Sequence, residues 1–219
     1  MSYLLPNDQS YGENEDIQDS KIISEQDPIF SSLPPEKNIP KKNEKSVGSL
    51  IKDFLWIILI AVAISVVLKT FVVDSRVIPS LSMYPTIQVG DRVILNKLAY
   101  IGDQTPQRGD IVVFYPPAEL NSKDDLIKRV IGLPGETLQI IDGVVYINGE
   151  SLDESYVYGT PDYDYATVTV PDNCYFMMGD NRNESLDSHL WKNPFIEVED
   201  IRGRAVFIYW PLNRMGILK

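Results

Sequence analysis

Two serines separated by one residue, Ser80 and Ser82, sit in the segment PSLSMYPT over residues 79–86. A serine hydroxyl becomes a useful nucleophile only when a neighbouring group takes its proton. On an extended backbone the two side chains share a face. One oxygen could then attack a carbonyl while the other, with a backbone N–H, donates to the oxyanion of the tetrahedral intermediate. Paired serines beside prolines also occur as plain loop chemistry, so the pattern alone leaves both readings open. The usual imidazole base has one representative, His189, in the turn-rich segment GDNRNESLDSH, where a lone histidine is more often structural. Lysine can take its place only when neutral, and burial among apolar groups lowers its pKa by up to several units. Most of the 20 Lys and Arg residues lie among polar neighbours, but Lys128 lies in LIKRVIG. Strand alternation there places Leu126, Lys128 and Val130 on one apolar face. A lysine so flanked either snorkels at a sheet edge or is desolvated for chemistry, and the second option requires Asp124 and Asp125 to point away from it.

The elements that would hold such a pair can be read from the rest of the chain. Residues 1–50 are rich in Asp, Glu, Ser, Asn, Pro and Lys without an apolar period, and predict a disordered tail. This tail carries Glu13, Glu15, Asp16 and Asp19 and no arginine, unlike an organelle transit peptide. Residues 51–73 predict one transmembrane helix. From Phe54 to Val73 the only charge is Lys69, and about twenty residues at 1.5 Å each span a hydrocarbon core of about 30 Å if Lys69 snorkels to the headgroups. A buried core helix and a cleaved signal peptide are the alternatives, the second disfavoured by the long acidic stretch before it. Lys37, Lys41, Lys42, Lys45 and Lys52 crowd the N-terminal side, so the positive-inside rule puts the tail in the cytoplasm and residues 74–219 outside.

Residues 74–219 predict a mainly β domain: short β-branched and aromatic runs at 92–95, 110–114, 127–131, 137–141 and 144–147, separated by turn signals. Asp142-Gly143 and Asn148-Gly149 predict tight reversals. Residues 150–166 read as a polar excursion before a strand over 167–170. The run AVFIYW at 205–210 is either core strand or a contact with the membrane interface. The net charge of −11 argues against nucleic acid. One cysteine, Cys174, excludes an internal disulfide, and with one histidine there is no metal-ligand cluster.

Four segments, PSLSMYPTIQVGDRVILNK (79–97), RGDIVVF (108–114), IKRVIGLPGE (127–136) and GDNRNESLDSH (179–189), resemble in order and spacing the boxes of bacterial type I signal peptidases, peptidase family S26. The resemblance runs from the apolar segment to the C-terminus and omits the tail and the 150–166 excursion. It implies a signal-peptidase-type β-fold and a membrane-bound serine endopeptidase that removes signal peptides after small residues, of Ala-x-Ala type. By similarity Ser82 is the nucleophile, Lys128 the general base and Ser80 an oxyanion donor. Ser185 then orients the lysine, Asp180 and Arg129 hold the site together, and Asp187 is a supporting acid. Met83 and Ile127 become candidates for an apolar pocket taking the small residue. Where many members have Arg, this chain has His189, as in cyanobacterial and thylakoid-type enzymes. An imidazole is mostly neutral near pH 7, so a standing ion pair to Asp187 is not expected. The resemblance implies no metal or organic cofactor. Its partners would be preproteins, membrane lipid and a secretion translocon, in the plasma or the thylakoid membrane. Two rivals stand beside it: a soluble self-cleaving repressor of the LexA kind, which also uses Ser and Lys, and a non-catalytic membrane-tethered β-domain.

Overall fold

The computed structural model describes residues 46–219, so nearly all of the expected tail lies outside the described residues. Helix α1, Val47–Val67, continues as a π-helical turn over Leu68–Val72. Together they form a helix long and apolar enough to cross a membrane. It starts four residues before the expected boundary at 51, because Val47 and Leu50 extend the apolar pattern and the nearest upstream proline is Pro40. The apolar side chains of α1 are exposed all round, as expected of a helix that meets lipid rather than a protein core.

Twelve strands follow among the described residues: β1 (Val73–Val77), β2 (Arg92–Asn96), β3 (Ile111–Phe114), β4 (Leu126–Gly132), β5 (Thr137–Ile141), β6 (Val144–Ile147), β7 (Glu150–Ser151), β8 (Tyr165–Thr169), β9 (Cys174–Met178), β10 (Phe195–Glu197), β11 (Ile201–Trp210) and β12 (Gly216–Ile217). The larger sheet runs β1-β2-β11-β3-β4-β9-β10 with β12 on β11, and the smaller runs β7-β6-β5-β8, all antiparallel. The expected mainly β class is what the chain adopts. Asp142-Gly143 and Asn148-Gly149 both have two consecutive positive φ values, the backbone of the tight hairpin turns their residue types predict.

Three buried clusters fix the sheets. Ile78, Met83, Ile87, Val93, Leu95 and Ile208 pack under the segment that follows β1. Ile131, Leu138, Ile140, Phe176 and Met178 join the smaller sheet to β4 and β9. Val112, Phe114, Val130, Met177 and Trp191 close the other face. Met83 and Ile87, both fully buried, contribute about 1.5–3 kcal/mol each and pin the turn that carries Ser82. In the 205–210 run Ala205 and Ile208 are core, while Trp210 is 47% exposed. Strand β8 begins two residues before the expected 167, because Tyr165 packs on Phe176 with ring centroids 5.4 Å apart.

Candidate active site

Ser82 lies in a series of turns, not on the extended backbone its pattern suggests: Tyr84 N–H donates to Leu81 O at 3.0 Å and Ile87 N–H to Met83 O at 2.8 Å. Pro79 and Pro85 bracket this segment and disfavour a continuous strand. The two hydroxyls nevertheless meet, with Ser80 Oγ 3.3 Å from Ser82 Oγ. Ser80 is exposed and Ser82 buried, so the pair points from the core toward the surface.

Lys128 lies mid-strand in β4, between β3 and β9. The predicted single apolar face is corrected to burial on both sides, since residues 127–132 are all buried beneath two layers of core. Lys128 is 3% exposed. Burial lowers its amine to about 8, against an opposing pull from Asp187 and then Asp180. Its ammonium nitrogen forms no ion pair or hydrogen bond among the described residues. Asp125, which could have cancelled the shift, is held by Arg76 and Arg202, at 3.0 and 2.8 Å.

The antiparallel register pairs Arg129 with Met178, so one step further along brings Lys128 opposite Gly179. A side chain at Gly179 would run into the Ser82 carbonyl oxygen and Ser185 Oγ. Asn181 N–H then donates to that same Ser82 carbonyl at 3.1 Å. The strand carrying the lysine is thereby tied to the turn carrying the serine through one glycine. Ser185 Oγ is buried there without a hydrogen-bond partner among the described residues.

Around this centre the buried charges are paired. Arg129 grips Asp180 with two hydrogen bonds, Nε to Oδ1 at 2.8 Å and Nη2 to Oδ2 at 2.7 Å, and a third joins its Nη1 to Gly109 O at 2.7 Å. Both side chains are essentially inaccessible. At such burial, loss of either partner would strand the other charge. Asp187 accepts Gly179 N–H at 2.9 Å. Its other oxygen lies 2.6 Å from His189 Nδ1. Histidine thus keeps the contact that a neutral ring seemed to forfeit, because a carboxylate only accepts and the Nδ1–H donates in either charge state. Tyr163 stacks on that ring at 3.9 Å.

The match to known proteins rests on this same stretch of chain. Residues 51–210 match the model of signal peptidase, peptidase S26. The chain belongs to the signal peptidase family. A probable signal peptidase I-2 from Synechocystis sp. (strain ATCC 27184 / PCC 6803 / Kazusa) is 47% identical over 72% of each chain. Signal peptidase I from Leptolyngbya laminosa is 40% identical over 90% of this chain and 97% of its own. Thylakoidal processing peptidase 1, chloroplastic, from Arabidopsis thaliana is 36% identical over 71% of this chain and 47% of its own. The protein is accordingly a serine peptidase.

Within this signal peptidase several further side chains brace these groups, and no local pattern in the sequence points to them. Thr86 Oγ1 donates to Asp180 Oδ2 at 2.6 Å. Tyr156 places its ring 4.0 Å from the Arg129 guanidinium. Arg182 donates from Nε to Gly179 O at 3.1 Å and from Nη1 to Glu154 Oε2 at 2.8 Å. Glu154 and Tyr156 belong to the polar excursion over residues 150–166. Their only signal was composition: a tyrosine-rich loop is a poor solvent-exposed linker. The pocket expectation divides. Ile127, with Ile78, Pro79 and the charged Arg76, Asp125 and Arg202, lines a surface cavity of about 380 Å³. Met83 is fully buried beneath the site, so it supports the turn instead of lining that cavity.

Proposed function

We propose that this signal peptidase removes N-terminal signal peptides from exported preproteins with Ser82 as nucleophile and Lys128 as base. The carrying observation is the buried, unpaired Lys128 amine, lowered to about 8, one glycine away from the serine turn. In its neutral form the amine takes the Ser82 Oγ proton as the oxygen attacks the carbonyl carbon of the scissile bond. Ser80 Oγ–H and the Ser82 N–H stabilise the oxyanion. Collapse of the tetrahedral intermediate breaks the C–N bond, and the lysine proton leaves with the new amine of the mature protein. Water, deprotonated by the same lysine, then releases the signal peptide from Ser82. An unpartnered buried hydroxyl costs about 1–3 kcal/mol, a cost that gains a reason if Ser185 orients the Lys128 amine when substrate binds. Arg129, Asp180 and Asp187 hold the turns in register. Cleavage after small residues such as Ala is what membership of the signal peptidase family supports.

The apolar helix would anchor the enzyme, with its lysine-flanked N-terminal side in the cytoplasm and the catalytic sheets outside. That geometry suits substrates delivered by a translocon and held in lipid, in a plasma or a thylakoid membrane. The deciding experiment incubates the detergent-solubilised protein with a preprotein and sequences the product N-terminus, for wild type and Ser82→Ala. A cut after a small residue, lost in the variant, is expected. Undiminished cleavage by Ser82→Ala would overturn the assignment.

A further inference from the structure

Helix α1 and its π-turn bury no residue against the sheets, so their orientation relative to the catalytic site depends on the junction alone. Side-chain packing at that junction is open: a cavity of about 620 Å³ lies between the helix end and β1, bordered by Ile64, Leu68, Val73 and Ser75. Hydrogen bonds take over. A helix ends with carbonyls that lack intrahelical partners. The π-turn closes with its own bond, Val73 N–H to Leu68 O, and two further carbonyls are bonded from outside it. Lys97 N–H donates to Val72 O at 3.0 Å, and Lys97 Nζ donates to Thr70 O at 2.6 Å. One residue thus holds both, and its ammonium sits where the negative end of the helix dipole favours a cation.

The same junction sets the position of the nucleophile. The π-turn passes into β1 with no intervening residue. β1 pairs with β2 from Val73↔Asn96, directly beside Lys97, to Val77↔Arg92. Ile78 N–H then bonds Asp91 O at 2.9 Å, and the chain enters the Ser80–Ser82 turn. Five strand residues advance about 16 Å, so the serine stands at a set distance from the helix end for as long as that end is fixed to β2.

We propose that Lys97 is a positioning residue, locking the end of the membrane helix onto the catalytic sheet and so fixing the height at which Ser82 meets a substrate held in the bilayer. This inference rests on the signal-peptidase reading above. The test reconstitutes the full chain in phospholipid vesicles and measures kcat/KM on a preprotein inserted in the same vesicles and, in detergent, on a soluble peptide spanning the cleavage point. Lys97→Met is expected to lower the rate on the inserted preprotein by about tenfold and to leave the soluble peptide unaffected. Lys97→Arg, which keeps a donor at that reach, restores most of the loss. Spin labels at Leu50 and Lys123, in a Cys174→Ser background, should give a distance distribution that broadens in Lys97→Met. An equal fall on both substrates, no fall on either, or an unchanged distribution overturns the positioning role. If wild type and Ser82→Ala behave alike on both substrates, the assignment of Ser82 as nucleophile fails and takes this inference with it, whereas loss confined to Ser82→Ala leaves that assignment intact.

Discussion

At the scale of single residues, the Lys128 amine gives up its proton far more readily than an ordinary lysine. Moving Lys128 from the ordinary 10.5 to about 8 disfavours its charged form by about 3 kcal/mol. Desolvation is the larger cause, and Asp187 and Asp180 resist it. Between about pH 8 and 10.5 the unfolded chain retains this proton and the folded one does not, so this group makes stability rise with pH through that window. Below about pH 8 the penalty is fully present, which marks the lysine as a cost the fold carries for chemistry. Ser80 has a different signature. It is exposed, and its hydroxyl lies beside Ser82 Oγ, where an oxyanion would form. Ser80→Ala should lower kcat by about a hundredfold with KM and melting temperature nearly unchanged, read from initial rates over a substrate series. A rise in KM at constant kcat would instead assign Ser80 to substrate binding.

At the scale of elements, the site is a strand and a turn brought together by Gly179. Its N–H goes to Asp187, its carbonyl takes a bond from Arg182 Nε, and its Cα faces the Ser82 carbonyl oxygen. Gly179→Ala leaves that methyl no room, because the obstructing oxygen is backbone. We expect a loss of about 1–3 kcal/mol in chemical denaturation, with a fall in kcat larger than the stability loss explains. Wild-type turnover in a folded Gly179→Ala variant would mean the strand and turn are not coupled there. The strands of this framework were legible because β-branched runs alternate with turn dipeptides of defined φ, as at Asp142-Gly143. Ser82 and Lys128 were legible as types in a suggestive setting, and the resemblance connected them. The turn conformation of 79–87 was not, since prolines and the burial of Met83 outweigh the local alternation of serines. Nor were the Glu154–Arg182 and Tyr156–Arg129 contacts, which join segments remote in sequence and leave no local period. Asp187 and His189 show the reverse case: the residue types suggested a weakened ion pair, and hydrogen-bond geometry preserved the contact without needing a charge.

At the scale of the whole molecule, one apolar helix among the described residues leads directly into β1, at the edge of the sheet that carries Lys128. The full chain should therefore stay with the membrane pellet after alkaline extraction. In sealed inverted vesicles, added protease should trim the lysine-rich N-terminal side and spare residues 74–219. Release into the supernatant would mean that the apolar helix does not anchor the protein, and digestion of the sheets would reverse the orientation. The sheets, the paired buried charges and the core on both faces of β4 converge on keeping Lys128 dry. The most direct test of that claim is the pH dependence of kcat/KM on a soluble peptide, because this ratio reports ionisations of the free enzyme. The rate should climb with pH along a single limb centred at about 8 and then level off, and Lys128→Met should remove the activity altogether. A limb centred near 10.5, or an unchanged profile in Lys128→Met, would contradict a neutral lysine as the base.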